Sequence, residues 1–187
     1  MNGSQLCNVF EHITILEKFF CGIVEFRQIC STKSTTSWRS HDFLVVNVNN
    51  WHWILLMWIN SKTLIVFDSL SGKFTFKKQI MKQILFNCFS RVNRICFVYG
   101  RHRLQNDDLL TCGEHVIYFI LFQTLFYIEN GYFSSDYISE IENYCAIHRL
   151  TPDQFVWNEI YVKLKLLSPP DLKQVVDWYA GHRHRHK

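Results

Sequence analysis

The sequence predicts an α+β fold in which a small, mostly antiparallel sheet packs on a central helix headed by Cys112, with extra helices toward the C-terminus. Three observations predict it. Short runs rich in β-branched, leucine and aromatic residues follow one another from His41 to Phe67, divided at Asn49-Asn50 and Asn60-Ser61. A long apolar run without proline begins at Cys112 and stops short of Gly131. Helix-start signals recur near the C-terminus, at Thr151-Pro152-Asp153-Gln154 and at Ser168-Pro169-Pro170-Asp171.

Taken in order, Asn8 to Cys30 mixes helical and strand spacing, and the serine- and threonine-rich Ser31 to Ser40 reads as a surface loop. His41 to Val48, Trp51 to Ile59 and Thr63 to Phe67 form an antiparallel meander, because asparagine tolerates the geometry of the two connecting turns. Phe74 to Phe89 is expected to be an amphipathic helix whose apolar row is Phe76, Ile80, Ile84 and Cys88. Arg94 to Tyr99 is a further strand, and the polar loop from Gly100 to Thr111 delivers the chain to Cys112. The helix from Cys112 to Glu129 is buried, with Gly131 at its C-cap.

The bulk composition narrows the class. The 187 residues are 48% hydrophobic, 16% aromatic and 19% charged, which suits one globular domain over 1–187 with a basic, flexible tail at 181–187. Seven cysteines in apolar stretches, without paired spacing, argue for a reducing compartment rather than a disulfide scaffold. The absence of a Cys-x-x-Cys pair gives a zinc ribbon no support, and no metal site is expected. Met1 to Phe10 lacks the pattern of a signal peptide, and no apolar run reaches the eighteen or so residues that span a bilayer, so no membrane partner is expected. The net charge of +4 gathers in Arg91 to Arg103 and His182 to Lys187, which favours polyanions modestly.

One ordered set of residues carries chemistry. Thiol catalysis needs a sulfur nucleophile, an imidazole to move the proton, a group to orient that imidazole, and donors for the developing oxyanion. Cys112 at a helix start sits where orphan amides and the helix dipole stabilise negative charge on sulfur. His52 begins one strand and Asp68 follows the next, and antiparallel pairing through the turn at Asn60-Ser61 brings those two ends together. Gln105, seven positions before Cys112, offers a carboxamide N–H to the oxyanion beside the Cys112 backbone N–H.

The order His52-Trp53, Phe67-Asp68-Ser69, Gln105, Cys112-Gly113 resembles that of the adenoviral endopeptidases, the adenain family, and more distantly that of the proteases that process ubiquitin-like modifiers. The likeness runs roughly from Phe20 to Phe126. It implies a papain-like fold and a cysteine endopeptidase that cuts viral structural precursors after small residues, glycine above all, during virion maturation. It implies further that Trp53 lines a narrow substrate tunnel, and that DNA and a short viral peptide, disulfide-bonded at Cys96, act as activators. The protein is expected in the virion and the host nucleus or cytoplasm, and as a monomer. Two features depart from the family: Asp68 stands where adenoviral enzymes use glutamate, as in the ubiquitin-like-modifier proteases, and nothing from Gly131 onward aligns.

Other readings attach to the same residues. A deubiquitinase or deSUMOylase shares the chemistry, and an inactive relative serving as a nucleic-acid or capsid-binding module shares the fold. Trp51 and Trp58 are expected to be core. His115 reads as structural, its ring directed away from the amine end of its helix, and Asp68 by itself reads as a turn former. His182, His184 and His186 belong to the basic tail.

Overall fold

The structure is a computed structural model that describes Leu6, Phe10, residues 20–26, 29, 43–48, 50–70, 78–98, 104, 111–156, 158 and 159. Five strands, β1 (Phe20–Glu25), β2 (Phe43–Val48), β3 (His52–Asn60), β4 (Thr63–Phe67) and β5 (Arg94–Val98), lie side by side in chain order. Helices accompany them among the described residues, including α1 (Lys78–Cys88), α2 (Cys112–Asn130) and α3 (Tyr137–His148). The fold class is α+β, as the sequence predicts, with a helix beyond the one headed by Cys112.

The meander β2-β3-β4 is antiparallel and its two turns are made by asparagines. Asn50 holds φ 63°, a left-handed conformation that asparagine adopts more readily than most residues. Asn60 Oδ1 accepts the N–H groups of Lys62 and Thr63, both at 2.9 Å. The outer pairs differ from expectation: β1 runs parallel to β2 and β5 parallel to β4, so the sheet is mixed and not mostly antiparallel. The reason for the second pair is the connection, since α1 lies between β4 and β5 and a helical crossover returns the chain to the same end of the sheet.

The central strands are buried on both faces, which is why Phe43 to Val46, Trp53 to Trp58 and Leu64 to Phe67 are continuous apolar runs rather than alternating ones. Val45, Leu55, Met57, Ile65 and Phe67 pack with Val116 to Phe122 of α2. Leu44, Val46, Ile54, Leu56, Trp58, Leu64 and Val66 pack with Met81, Leu85 and Cys88 of α1. Of the expected row, Cys88 is buried in this core and Ile84, partly buried, packs against it, while the side chains of Phe76 and Ile80 fall outside the described residues. Phe74 to Lys77 and Ser168 to Asp171 fall outside the described residues.

α2 is the centre of the fold. Gly131 caps it at φ 76°, donating to the Tyr127 carbonyl at 2.8 Å, where a residue with a Cβ would be strained. Gln123, buried within it, secures the following loop through Nε2 to the Ser134 carbonyl (3.0 Å) and Oε1 from the Ser134 N–H (2.9 Å). Phe67, the last residue of β4, stacks on Phe119 at 4.4 Å and meets the edge of Tyr137 at 5.5 Å. Phe67→Ala is expected to cost about 3–5 kcal/mol in urea unfolding, and a loss below about 1 kcal/mol would contradict this packing.

Candidate active site

The sheet and α2 bring three of the residues picked out by the sequence to one place. The register pairs Leu55 with Phe67. Asp68, one residue further, falls opposite Ile54, and His52 is its diagonal neighbour. The imidazole accordingly meets the carboxylate, with His52 Nε2 at 3.0 Å from Asp68 Oδ1, both side chains buried. Asp68 also forms a local turn, Oδ1 accepting the Leu70 N–H at 2.9 Å, and its own N–H reaches the Val98 carbonyl at the end of β5. One side chain thus both forms the turn and hydrogen-bonds the His52 ring.

Cys112 is the first residue of α2, and its sulfur faces the start of β3. The Trp53 N–H donates to Cys112 Sγ at 3.4 Å, and Sγ lies 4.0 Å from the Trp51 carbonyl oxygen. Asp68 is an acceptor, so Nε2 carries the proton of the His52–Asp68 bond. Burial is the largest single influence on His52 and works against the imidazolium. The hydrogen bond to Asp68, with the nearby Cys112 thiol and the charges of both groups, outweighs it, so His52 is pushed up from 6.5 to about 9.

Gln105 lies outside the described residues. Leu104, its neighbour, is buried and donates its N–H to the Ser69 carbonyl at 3.1 Å, which ties the loop to the strand end that carries Asp68. The side chain of Trp53 is buried in the α2-side core, and its contact with the site is the backbone N–H to sulfur. Trp58 is core, as expected, at the Phe89 edge. Trp51 is not core: it is 51% exposed, with its ring 5.4 Å from the His52 ring. Trp51 stands in the turn at 50–51, ahead of His52, whose pairing with Val48 closes the β2–β3 ladder. Sequence reasoning missed it because alternation along a strand has no force in a turn.

His115 was expected to point away from the amine end of α2, and the structure reverses that. Its Nε2 reaches Asp153 Oδ1 at 2.9 Å, and the same oxygen accepts the hydroxyl of Thr111, the N-cap residue, at 2.6 Å. Helical side chains lean back toward the N-terminus, which directs the ring to the first turn. Asp153 stands in the turn begun by Thr151, where Thr151 N–H to Gln154 Oε1 (2.9 Å) and Gln154 N–H to Thr151 Oγ1 (3.2 Å) close a capping box. The capping signal was visible in the sequence; the destination of Asp153 was not.

Cys96 is a free thiol on β5, half-buried against the α2-side core; Cys88, Cys112 and Cys145 are also free. Among the described residues no group of three or more His, Cys, Asp or Glu side chains could hold a metal ion. No helix of the described residues is long and apolar enough to cross a membrane. The tail residues His182, His184 and His186 fall outside the described residues.

No family model matches the chain, and no curated protein matches it. Among solved structures it is similar to the central domain of the uncharacterized Lpg1148 protein from Legionella pneumophila, with 11% identity, 88% of this chain and 98% of that chain covered, and a TM-score of 0.47.

Proposed function

We propose that the chain is a cysteine peptidase in which Cys112 is the nucleophile, His52 the acid and base, and Asp68 the residue that orients His52. The observation that carries this reading is the 3.0 Å bond from His52 Nε2 to Asp68 Oδ1, at the strand start where the Trp53 N–H also meets the Cys112 sulfur at 3.4 Å. Sulfur attacks the carbonyl carbon of the scissile bond, and the imidazolium returns its proton to the leaving amine, which departs to leave a thioester. Water, deprotonated by His52, then attacks the thioester and releases the acid and the thiol. The Cys112 N–H at the start of α2 is an oxyanion donor, joined by the Gln105 carboxamide.

The substrate class follows from the resemblance: viral precursor polypeptides cut after glycine or another small residue, by an adenain-like enzyme of papain-like fold. Activation by DNA, and by a short peptide disulfide-bonded at Cys96, belongs to the same reading, as does Trp53 as a wall of the substrate tunnel. Asp68 as the third member favours a second reading, an isopeptidase that removes a ubiquitin-like modifier after its Gly-Gly end. Fluorogenic Gly-containing peptides and ubiquitin-like fluorogenic conjugates, assayed side by side, separate the two. Turnover of the peptides alone supports the endopeptidase, and turnover of the conjugates alone supports the isopeptidase. Turnover of neither, with no labelling of Cys112 by a thiol-directed peptide electrophile, would leave the inactive binding module as the correct description.

A further inference from the structure

We infer that Thr111 and Asp153 are positioning residues for Cys112, an inference that rests on the reading of Cys112 as the nucleophile. Asp153 Oδ1 accepts two bonds, from Thr111 Oγ1 at 2.6 Å and from His115 Nε2 at 2.9 Å. These two donors are the N-cap residue of α2 and the residue four places on, one turn apart, and the His115 N–H also reaches the Thr111 carbonyl at 3.1 Å. The clamp therefore closes around the turn that contains Cys112, Gly113 and Glu114. All three side chains are buried, at 7%, 5% and 0% exposure for Thr111, Asp153 and His115, so water competes poorly for these bonds.

The clamp has two consequences for the sulfur. Thr111 makes no side-chain cap bond to its own helix; its hydroxyl donates to Asp153. A threonine at this position ordinarily turns its oxygen to an amide of the first turn. Here that oxygen does not compete with the developing charge at Cys112 for the first-turn amides. The second consequence is rotational. The Trp53 N–H to Sγ contact of 3.4 Å requires one setting of the first turn, and the clamp fixes that turn at Thr111 and His115. The anchor comes from the C-terminal segment, which the capping box at 151–154 makes rigid.

The test is alkylation of the intact chain by iodoacetamide at neutral pH, followed by mass spectrometry at each cysteine. Thr111→Val removes the hydroxyl with little change of volume, and Thr111→Ser restores it. The clamp predicts that Thr111→Val slows alkylation of Cys112 by roughly tenfold, a fraction of what a full ångström of misplacement costs, while buried Cys145 is unchanged. Thr111→Ser recovers the rate. General loosening of the fold would instead speed alkylation of Cys145, and that result, or an unaltered Cys112 rate in Thr111→Val, overturns the inference. Asp153→Ala leaves buried His115 without its carboxylate and serves only as a second variant, scored if its circular dichroism melt is cooperative. His52→Ala in the same series keeps the two ideas apart: its failure to slow Cys112 alkylation overturns the peptidase reading, while Thr111→Val decides the clamp either way.

Discussion

His52→Ala is expected to lower peptide hydrolysis by roughly 10³–10⁴-fold at neutral pH while the chain still melts cooperatively. In the proposed mechanism the imidazole takes the proton from Cys112 and hands it to the leaving amine, and without it both half-reactions lose their proton carrier. Cys112→Ala should lose the covalent intermediate altogether, and the double variant should be no worse than either single one, because the two groups act as a unit. Additive losses in the double variant, or hydrolysis by His52→Ala within an order of magnitude of the unaltered chain, would remove the proposed relay.

Asp68→Ala should be nearly as damaging, and it carries a signature in pH. Burial by itself holds the His52 imidazole neutral; the bond to Asp68 is the largest influence opposing it. With Asp68 present the ring stays protonated up to about 9, so hydrolysis falls on its alkaline side as the pH passes that value. Without Asp68 the alkaline limit moves to lower pH, and the rate at neutrality falls by ~10²–10⁴-fold, the range of a displaced general acid–base. Stability follows the same sign. A folded value raised above the unfolded 6.5 stabilises fully below 6.5, and that contribution is lost as pH rises through about 9. The melting temperature of the unaltered chain should therefore decline across that interval, and Asp68→Ala should lack the decline. Asp68→Asn keeps an acceptor for the Leu70 N–H and serves as the folding control. An alkaline limit that is the same with and without Asp68 would exclude its orienting role.

The legible parts of the fold were those governed by local rules. Asn50 and Asn60 stand in the turns of the meander because few other residues accept that local geometry so readily. Cys112 to Asn130 is helical, and buried from Cys112 to Gln123 where its sequence is mostly apolar, with its last turns partly buried or exposed; Gly131 ends it because glycine adopts positive φ without strain. The His52–Asp68 meeting was legible for the same reason: once two strands are antiparallel and their turn is known, the neighbours at the open end follow.

What escaped depended on segments far apart in the chain. The parallel pairing of β1 with β2 and of β5 with β4 leaves no local mark, since a parallel strand buried on both faces has the same apolar run as an antiparallel one. Trp51 reads as another core aromatic until the turn exposes it beside His52.

The sequence by itself determined the α+β class, the turns, the central helix and the order His52, Asp68, Cys112, because each rests on steric or hydrophobic preferences acting within a few residues. Only the tertiary structure decided that the sulfur rests over the start of β3, that His52 is held protonated, and that Asp153 closes on Thr111 and His115. Those outcomes are set by burial and by hydrogen bonds between residues dozens of positions apart, and neither exists until the core has closed.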